Sequence, residues 1–118
     1  MASTPESKIK KMVRAVLAEF TERHVQVDGY SVPLLKQFWP VPSGYGASDI
    51  DCIVCYYGKY IAIETKAPGK KPTPRQELTL AETKGAGGMT FTIDGEAGCR
   101  LLRHTLQYIR AQNNADNS

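Results

Sequence analysis

Two apolar runs, Ile50 to Tyr56 and Tyr60 to Thr65, are separated only by Tyr57-Gly58, and this pair constrains the fold more than any other feature. Both runs are rich in β-branched, aromatic and cysteine residues, and the short Gly-containing break between them predicts a β-hairpin. Alternation along the first run puts Ile50, Cys52, Val54 and Tyr56 on one face and Ile53 and Cys55 on the other. A strand that is apolar on both faces belongs in the middle of a covered sheet.

Charged residues sit inside or at the ends of these strands, where burial is costly and each calls for a reason. A two-residue turn at Tyr57-Gly58 pairs Tyr56 with Lys59, and counting back pairs Ile53 with Ala62, Asp51 with Glu64 and Asp49 with Lys66. Opposed residues share a face, with Cβ atoms about 4.5–5.5 Å apart. Two opposed, half-buried carboxylates repel each other unless a cation lies between them, and hard oxygen ligands suit Mg²⁺ or Mn²⁺. Such an ion can hold a phosphate and lower the pKa of a bound water. Lys66, one step past Glu64, supplies a point charge for the same phosphate. Lys70, Lys71 and Arg75 follow at once, in and just after the loop Ala67-Pro68-Gly69-Lys70-Lys71-Pro72, where a phosphate backbone can lie.

The rest of the chain reads as elements around this hairpin. Ser3-Thr4-Pro5-Glu6 is a capping box with Ser3 or Thr4 as N-cap. It opens a helix whose Ile9, Met12, Val13, Val16, Leu17 and Phe20 form one apolar stripe. Glu6 lies on that stripe, so it points to the core side or serves as the capping partner of Ser3. Residues 24–48 carry a weaker pattern, with a strand from Val32 to Trp39 that is interrupted at Pro33 and closed by Pro40. A turn-rich loop containing Gly44, Tyr45 and Gly46 follows.

Thr73-Pro74-Arg75-Gln76 is a second capping box, opening a helix that ends near Gly85. Gln76 either closes that box or reaches toward the charged cluster. Met89 to Ile93 is a strand, Asp94-Gly95 a turn, and Glu96 to about Gln112 a last helix bearing Leu101, Leu102, Thr105, Leu106 and Ile109. Residues 113–118 form a polar, frayed tail. The order is α-β-β-β-α-β-α, an α/β fold whose mixed, mainly antiparallel central sheet is flanked by helices.

At 118 residues the chain is expected to be one domain, 1–118, and its 42% hydrophobic content suffices for a core without staples. Three cysteines are an odd and sparse set, which argues for a reducing compartment. The N-terminal segment has no apolar signal region, and no apolar run approaches the roughly 18 residues that cross a bilayer. A cytoplasmic protein without a membrane partner is expected. The net charge of +3 is too small by itself to establish nucleic-acid binding, so the placement of the basic residues matters more.

Asp51, followed after a hairpin by Glu64-Thr65-Lys66, resembles the PD-(D/E)xK nuclease signature. More closely, Gly44-Tyr45-Gly46, Asp51 and the run from Ile61 through Glu64-Thr65-Lys66-Ala67-Pro68-Gly69-Lys70-Lys71-Pro72-Thr73-Pro74-Arg75 to Gln76 resemble the VRR-NUC branch. That branch is found as stand-alone phage and bacterial proteins and within larger repair nucleases. The resemblance spans roughly residues 4–95. It implies a PD-(D/E)xK core, metal ligands at Asp51 and Glu64, a catalytic lysine at Lys66, a helix-borne glutamine at Gln76 and an acidic residue on the first helix, where Glu6 fits. It also implies a Mg²⁺-dependent endonuclease acting as a homodimer on branched DNA such as a Holliday junction. Ile50 stands where the general signature often has Pro, which makes Asp49 a competitor for the metal; Asp51 is preferred because it opposes Glu64.

Other readings remain beside this one. A monomeric nicking or flap nuclease uses the same chemistry, and a non-catalytic DNA-binding module can share the fold. Cys52 and Cys55 match a CxxC spacing, but on a strand their side chains point to opposite faces, which disfavours a zinc or redox site. His24 and His104 lack a partner motif and default to surface or packing roles. Trp39 is expected to pack on the core, and Tyr45 is a candidate for base stacking on DNA.

Overall fold

Thr4 is the N-cap of the first helix, α1 (Pro5–Ala18). Its hydroxyl accepts the Ser7 N–H at 3.0 Å, and Pro5 occupies the first turn, where an N–H would have no helical partner anyway. Ser7 therefore stands opposite the cap, and Ser3, the other expected N-cap, lies outside the described residues. The structure, a computed structural model, describes residues 4–40 and 50–116. Ile9, Val13, Val16 and Leu17 are buried along one face of α1, as their spacing requires.

The next segment departs from the sequence reading. The strand expected across Val32–Trp39 is divided between β2 (Tyr30–Pro33) and β3 (Leu35–Phe38), and β1 (His24–Val27) precedes them. Strands β1 and β2 form their own antiparallel ribbon around Asp28-Gly29, both with positive φ (51° and 84°). Asp-Gly is a strong turn signal for such a hairpin. Its flanking strands escaped notice because they bury almost nothing: all four residues of β1 are exposed, so no alternation of apolar and polar residues is imposed. The element order is thus α-β-β-β-β-β-α-β-α.

Strands β4 (Cys52–Tyr56) and β5 (Lys59–Thr65) pair as counted from the sequence. Tyr56 faces Lys59, Ile53 faces Ala62 and Cys52 faces Ile63, and Tyr57 and Gly58 turn with φ of 50° and 79°. Helix α2 (Pro74–Gly85) then carries the chain to β6 (Met89–Ile93), which lies parallel to β5, a pairing that needs such a crossover. The sheet order is β3-β4-β5-β6, with antiparallel pairs except the last. Helix α3 (Glu96–Asp116) runs beyond the expected end near Gln112. The segment from Asn113 to Asp116, read as frayed tail, is its last turn, and Asn113 donates to the Ile109 carbonyl at 2.8 Å.

Two layers of side chains hold the sheet. Cys52, Val54, Tyr56, Ile61, Ile63, Phe91 and Ile93 pack with the buried stripes of α1 and α3, and Trp39 lies against the edge of that core beneath the Arg14 guanidinium. On α3 the buried residues are Cys99, Leu102, Leu106 and Ile109, whereas Leu101, expected on this stripe, is exposed. The opposite face carries a smaller cluster of Ala62, Leu80 from α2 and Ile50, with Ile53 against it. Ile50 therefore does not share the face of Cys52: regular strand begins only at Cys52, and the bend before it turns Ile50 toward α2. Cover on this second face is partial, since Cys55 is exposed. Arg103 joins α3 to α1 through paired hydrogen bonds to the Glu19 carboxylate (2.9–3.1 Å).

Candidate active site

The apolar rows of the β4–β5 ladder stop at Cys52 and Ile63, and the next residues are Asp51 and Glu64. Among the described residues, Glu64 and Thr65 are the only buried polar or charged side chains, Glu64 being 2% exposed. Asp51 sits just ahead of β4 and is fixed by β5: its Oδ2 accepts both the Thr65 N–H (2.8 Å) and the Thr65 hydroxyl (2.7 Å). Its other oxygen, Oδ1, faces the Lys10 ammonium of α1 at 3.6 Å. Glu64 Oε1 accepts from Gln76 Nε2 at 3.3 Å and lies 4.0 Å from Lys66 Nζ, while Glu64 Oε2 is buried without a hydrogen-bond partner. Lys66 is itself largely covered, and its N–H is bonded to the Ile93 carbonyl.

Gln76 fills both roles that its position allows. Its Oε1 accepts the Thr73 N–H at 2.9 Å and its N–H donates to the Thr73 hydroxyl, closing the capping box of α2. Its Nε2 remains for Glu64. A glutamate at this position caps the helix equally well but brings a carboxylate where an N–H donor is needed. Through Gln76 the first turn of α2 also directs the positive end of its dipole toward Glu64.

The electrostatics separate the two acids. Burial pushes the Glu64 carboxyl up, as do its shared hydrogen bond with Asp51, the Asp51 charge and, more weakly, the Glu6 charge; Lys66 offsets only part, and the pKa rises to about 9. Burial also raises Asp51, but the Thr65 N–H and hydroxyl, the hydrogen bond with Glu64 and the Lys10 ammonium together outweigh it and hold Asp51 below its ordinary value. Burial and the neighbouring Asp51 charge thus favour the protonated form of Glu64, whereas Asp51 is favoured as the carboxylate. With both groups ionised neither can donate, and Glu64 Oε2 is left bare.

A divalent cation fits this donor set. Glu64 Oε2, buried without a hydrogen-bond partner, and Asp51 Oδ1, turned away from Thr65 and facing Lys10, are the oxygens the two acids can offer an ion. Mg²⁺ commonly uses one or two carboxylates and keeps waters in its remaining positions. No group of three or more His, Cys, Asp or Glu side chains is gathered as a metal cage among the described residues. Glu6 belongs to the surroundings of the pair, through its charge on Glu64.

The remaining sequence candidates divide. Lys70 and Lys71 are exposed on a loop held by Gly69 N–H to Asp94 Oδ2 (3.2 Å) and Lys70 N–H to the Ala67 carbonyl (2.9 Å), and Arg75 is exposed on the first turn of α2. Tyr45, and the expected pairing of Asp49 with Lys66, lie outside the described residues. Cys52 points into the core, where burial pushes its thiol up to about 12, and Cys55 points to the other face. His24 and His104 are exposed.

Two residues were missed by the sequence reading, Thr65 and Lys10. Thr65 looked like ordinary strand filler. Lys10 follows Glu6 by four residues, hence on the same side of α1, and that spacing was its available signal. Comparison with protein-family models, with curated proteins and with solved structures gives no match.

Proposed function

We propose that the chain is a Mg²⁺-dependent endonuclease built on a PD-(D/E)xK-type core, hydrolysing phosphodiester bonds in DNA. The observation that carries this reading is the pair Asp51 and Glu64, the first fixed through Oδ2 by Thr65 and the second buried with Oε2 unpartnered, with the covered ammonium of Lys66 beside Glu64. Bound Mg²⁺ supplies a Lewis acid and a water of lowered pKa. Asp51 is locked in orientation by Thr65, so its Oδ1 is presented without a rotamer search. Glu64 would hold such an ion as the carboxylate, through Oε2, while Gln76 donates to its Oε1. Lys66 Nζ donates to a non-bridging phosphate oxygen or to the attacking water, offsetting negative charge as it builds. A buried glutamate with one oxygen unpartnered and a pKa raised to about 9 costs stability once it ionises, and this weighs against a non-catalytic DNA-binding module.

The substrate in this reading is branched DNA, such as a Holliday junction, cut by a homodimer, since one site cuts one strand and a symmetric junction offers two equivalent strands. Assays on labelled junction, flap and duplex DNA test it directly. Cleavage is expected with Mg²⁺ or Mn²⁺ and none in chelator, with paired symmetric cuts on the junction. Single cuts confined to flaps or nicks indicate the monomeric alternative, and no cleavage of any form with either metal removes the nuclease reading.

Lys70, Lys71 and Arg75 are assigned to the phosphate backbone. Changing all three to Ala is expected to weaken binding about equally across DNA sequences and to lower the slope of log affinity against log salt by up to about 2.7, or roughly 0.9 per lost phosphate contact. An unchanged slope places the DNA elsewhere on the surface.

A further inference from the structure

The cation beside Asp51 in the metal-free protein is a lysine. Of the lysines on α1, Lys8 and Lys11 are exposed, whereas Lys10 is half-buried and reaches Asp51 Oδ1 at 3.6 Å. Thr65 occupies the other oxygen of Asp51 with two hydrogen bonds, so Oδ1 is the position at which Asp51 can accept a metal. Lys10 and a divalent cation therefore need the same lone pairs, and an ammonium next to a divalent ion is repelled.

We propose that Lys10 is an internal placeholder that occupies the Oδ1 side of Asp51 without metal, yields Oδ1 to the incoming cation, and then pairs with a phosphate of the bound strand. Resting on the nuclease reading, the assignment deepens it by adding a phosphate contact from α1. The Lys10 side chain is 35% exposed, so its head has solvent to move into without unpacking the helix. Metal and nucleic acid then reinforce each other, because the ion releases the charge that the phosphate takes. By linkage, nucleic acid strengthens metal binding by the same factor.

Two measurements test the assignment, with Lys8→Met as a control on the same helix. In calorimetric titration of the metal-free protein with Mg²⁺ or Mn²⁺, Lys10→Met is expected to bind about tenfold more tightly than wild type, within the usual range of coupling between sites. Lys8→Met is expected to bind as wild type does. In DNA binding with Ca²⁺ in place of Mg²⁺, Lys10→Met is expected to lower the salt slope by about 0.9, and in chelator to leave it unchanged. Equal or weaker metal binding by Lys10→Met overturns the placeholder role, and a slope lowered equally with and without metal overturns the transfer to phosphate. If wild type and Lys10→Met both fail to bind metal, this inference and the metal site fall together. If metal binding follows the prediction while no DNA is cut, the competition stands and the nuclease reading alone falls.

Discussion

Glu64→Gln is expected to abolish cleavage and, at the same time, to make the metal-free protein more stable at alkaline pH. Loss of activity follows because an amide cannot supply the anionic ligand opposite Asp51; a fall of several orders of magnitude is expected, as for other groups that hold a catalytic metal. The gain in stability follows from linkage. Unfolded, Glu64 releases its proton near its ordinary value of 4.5, whereas folded it holds it to about 9. Between those values the folded state binds the extra proton, so the stability contribution is full below about pH 4.5 and is lost as pH rises toward 9. Glutamine needs no proton and leaves Gln76 and Lys66 in place. Melting temperatures in chelator from pH 6 to 9 are expected to fall for wild type and to stay nearly level for the variant. Mg²⁺ is expected to restore wild type selectively, since the ion takes the place of the proton. Parallel pH profiles for the two proteins mean that Glu64 is already ionised when folded. Lys66→Ala is expected to abolish turnover too while DNA binding survives, and near-wild-type turnover of either variant refutes the site.

Asp51→Asn is expected to lose the metal altogether, with activity again falling by orders of magnitude. The substitution is mild for the fold: the amide oxygen of Asn can accept the Thr65 N–H and hydroxyl bonds that Asp51 Oδ2 accepts. The amide nitrogen then occupies the ligand position, a donor pointed at a cation, and Glu64 is left as the only acid of the pair. Calorimetry with Mg²⁺ reads the loss directly, and circular dichroism establishes that the variant is folded. Asp49→Asn is the informative comparison. Asp49 lies outside the described residues, and counting along the sequence matches it to Lys66 rather than to Glu64, so its removal is expected to lower activity partially and to leave metal binding in place. If Asp49→Asn loses the metal and Asp51→Asn retains it, the acids have been assigned in the wrong order.

The hairpin register is a local property of the sequence. A two-residue turn at Tyr57-Gly58 has one register, and the period of two along each strand then fixes which residues oppose and which share a face. That register is the one observed from Tyr56 against Lys59 to Cys52 against Ile63, and Asp51, just ahead of β4, is joined to β5 through Thr65. Helices α1, α2 and α3 were equally legible, because caps such as Thr73 with Gln76 and apolar residues at helical spacing are local signals.

Elements without a buried face were not legible. The β1–β2 ribbon carries an Asp-Gly turn but no alternation, because solvent on both sides selects none. Ile50 and Leu101 were placed by periodicity alone, which fails where a strand begins one residue late or a helix face is wider than its neighbours can cover.

What tertiary structure alone decided is how the pieces of the site divide their labour. Only the approach of α2 to β5 shows that one amide, Gln76, caps its helix with its oxygen and holds Glu64 with its nitrogen. Only the approach of α1 to the start of β4 brings Lys10 to Asp51, across a sequence separation that no spacing rule connects. The inequality of the two carboxylates is likewise a tertiary property. Sequence supplies two acids of similar intrinsic acidity, and burial of Glu64 together with hydrogen bonds from Thr65 to Asp51 pushes them apart. Local backbone geometry determines which residues face each other, whereas desolvation and long-range pairing determine which of them carries the proton.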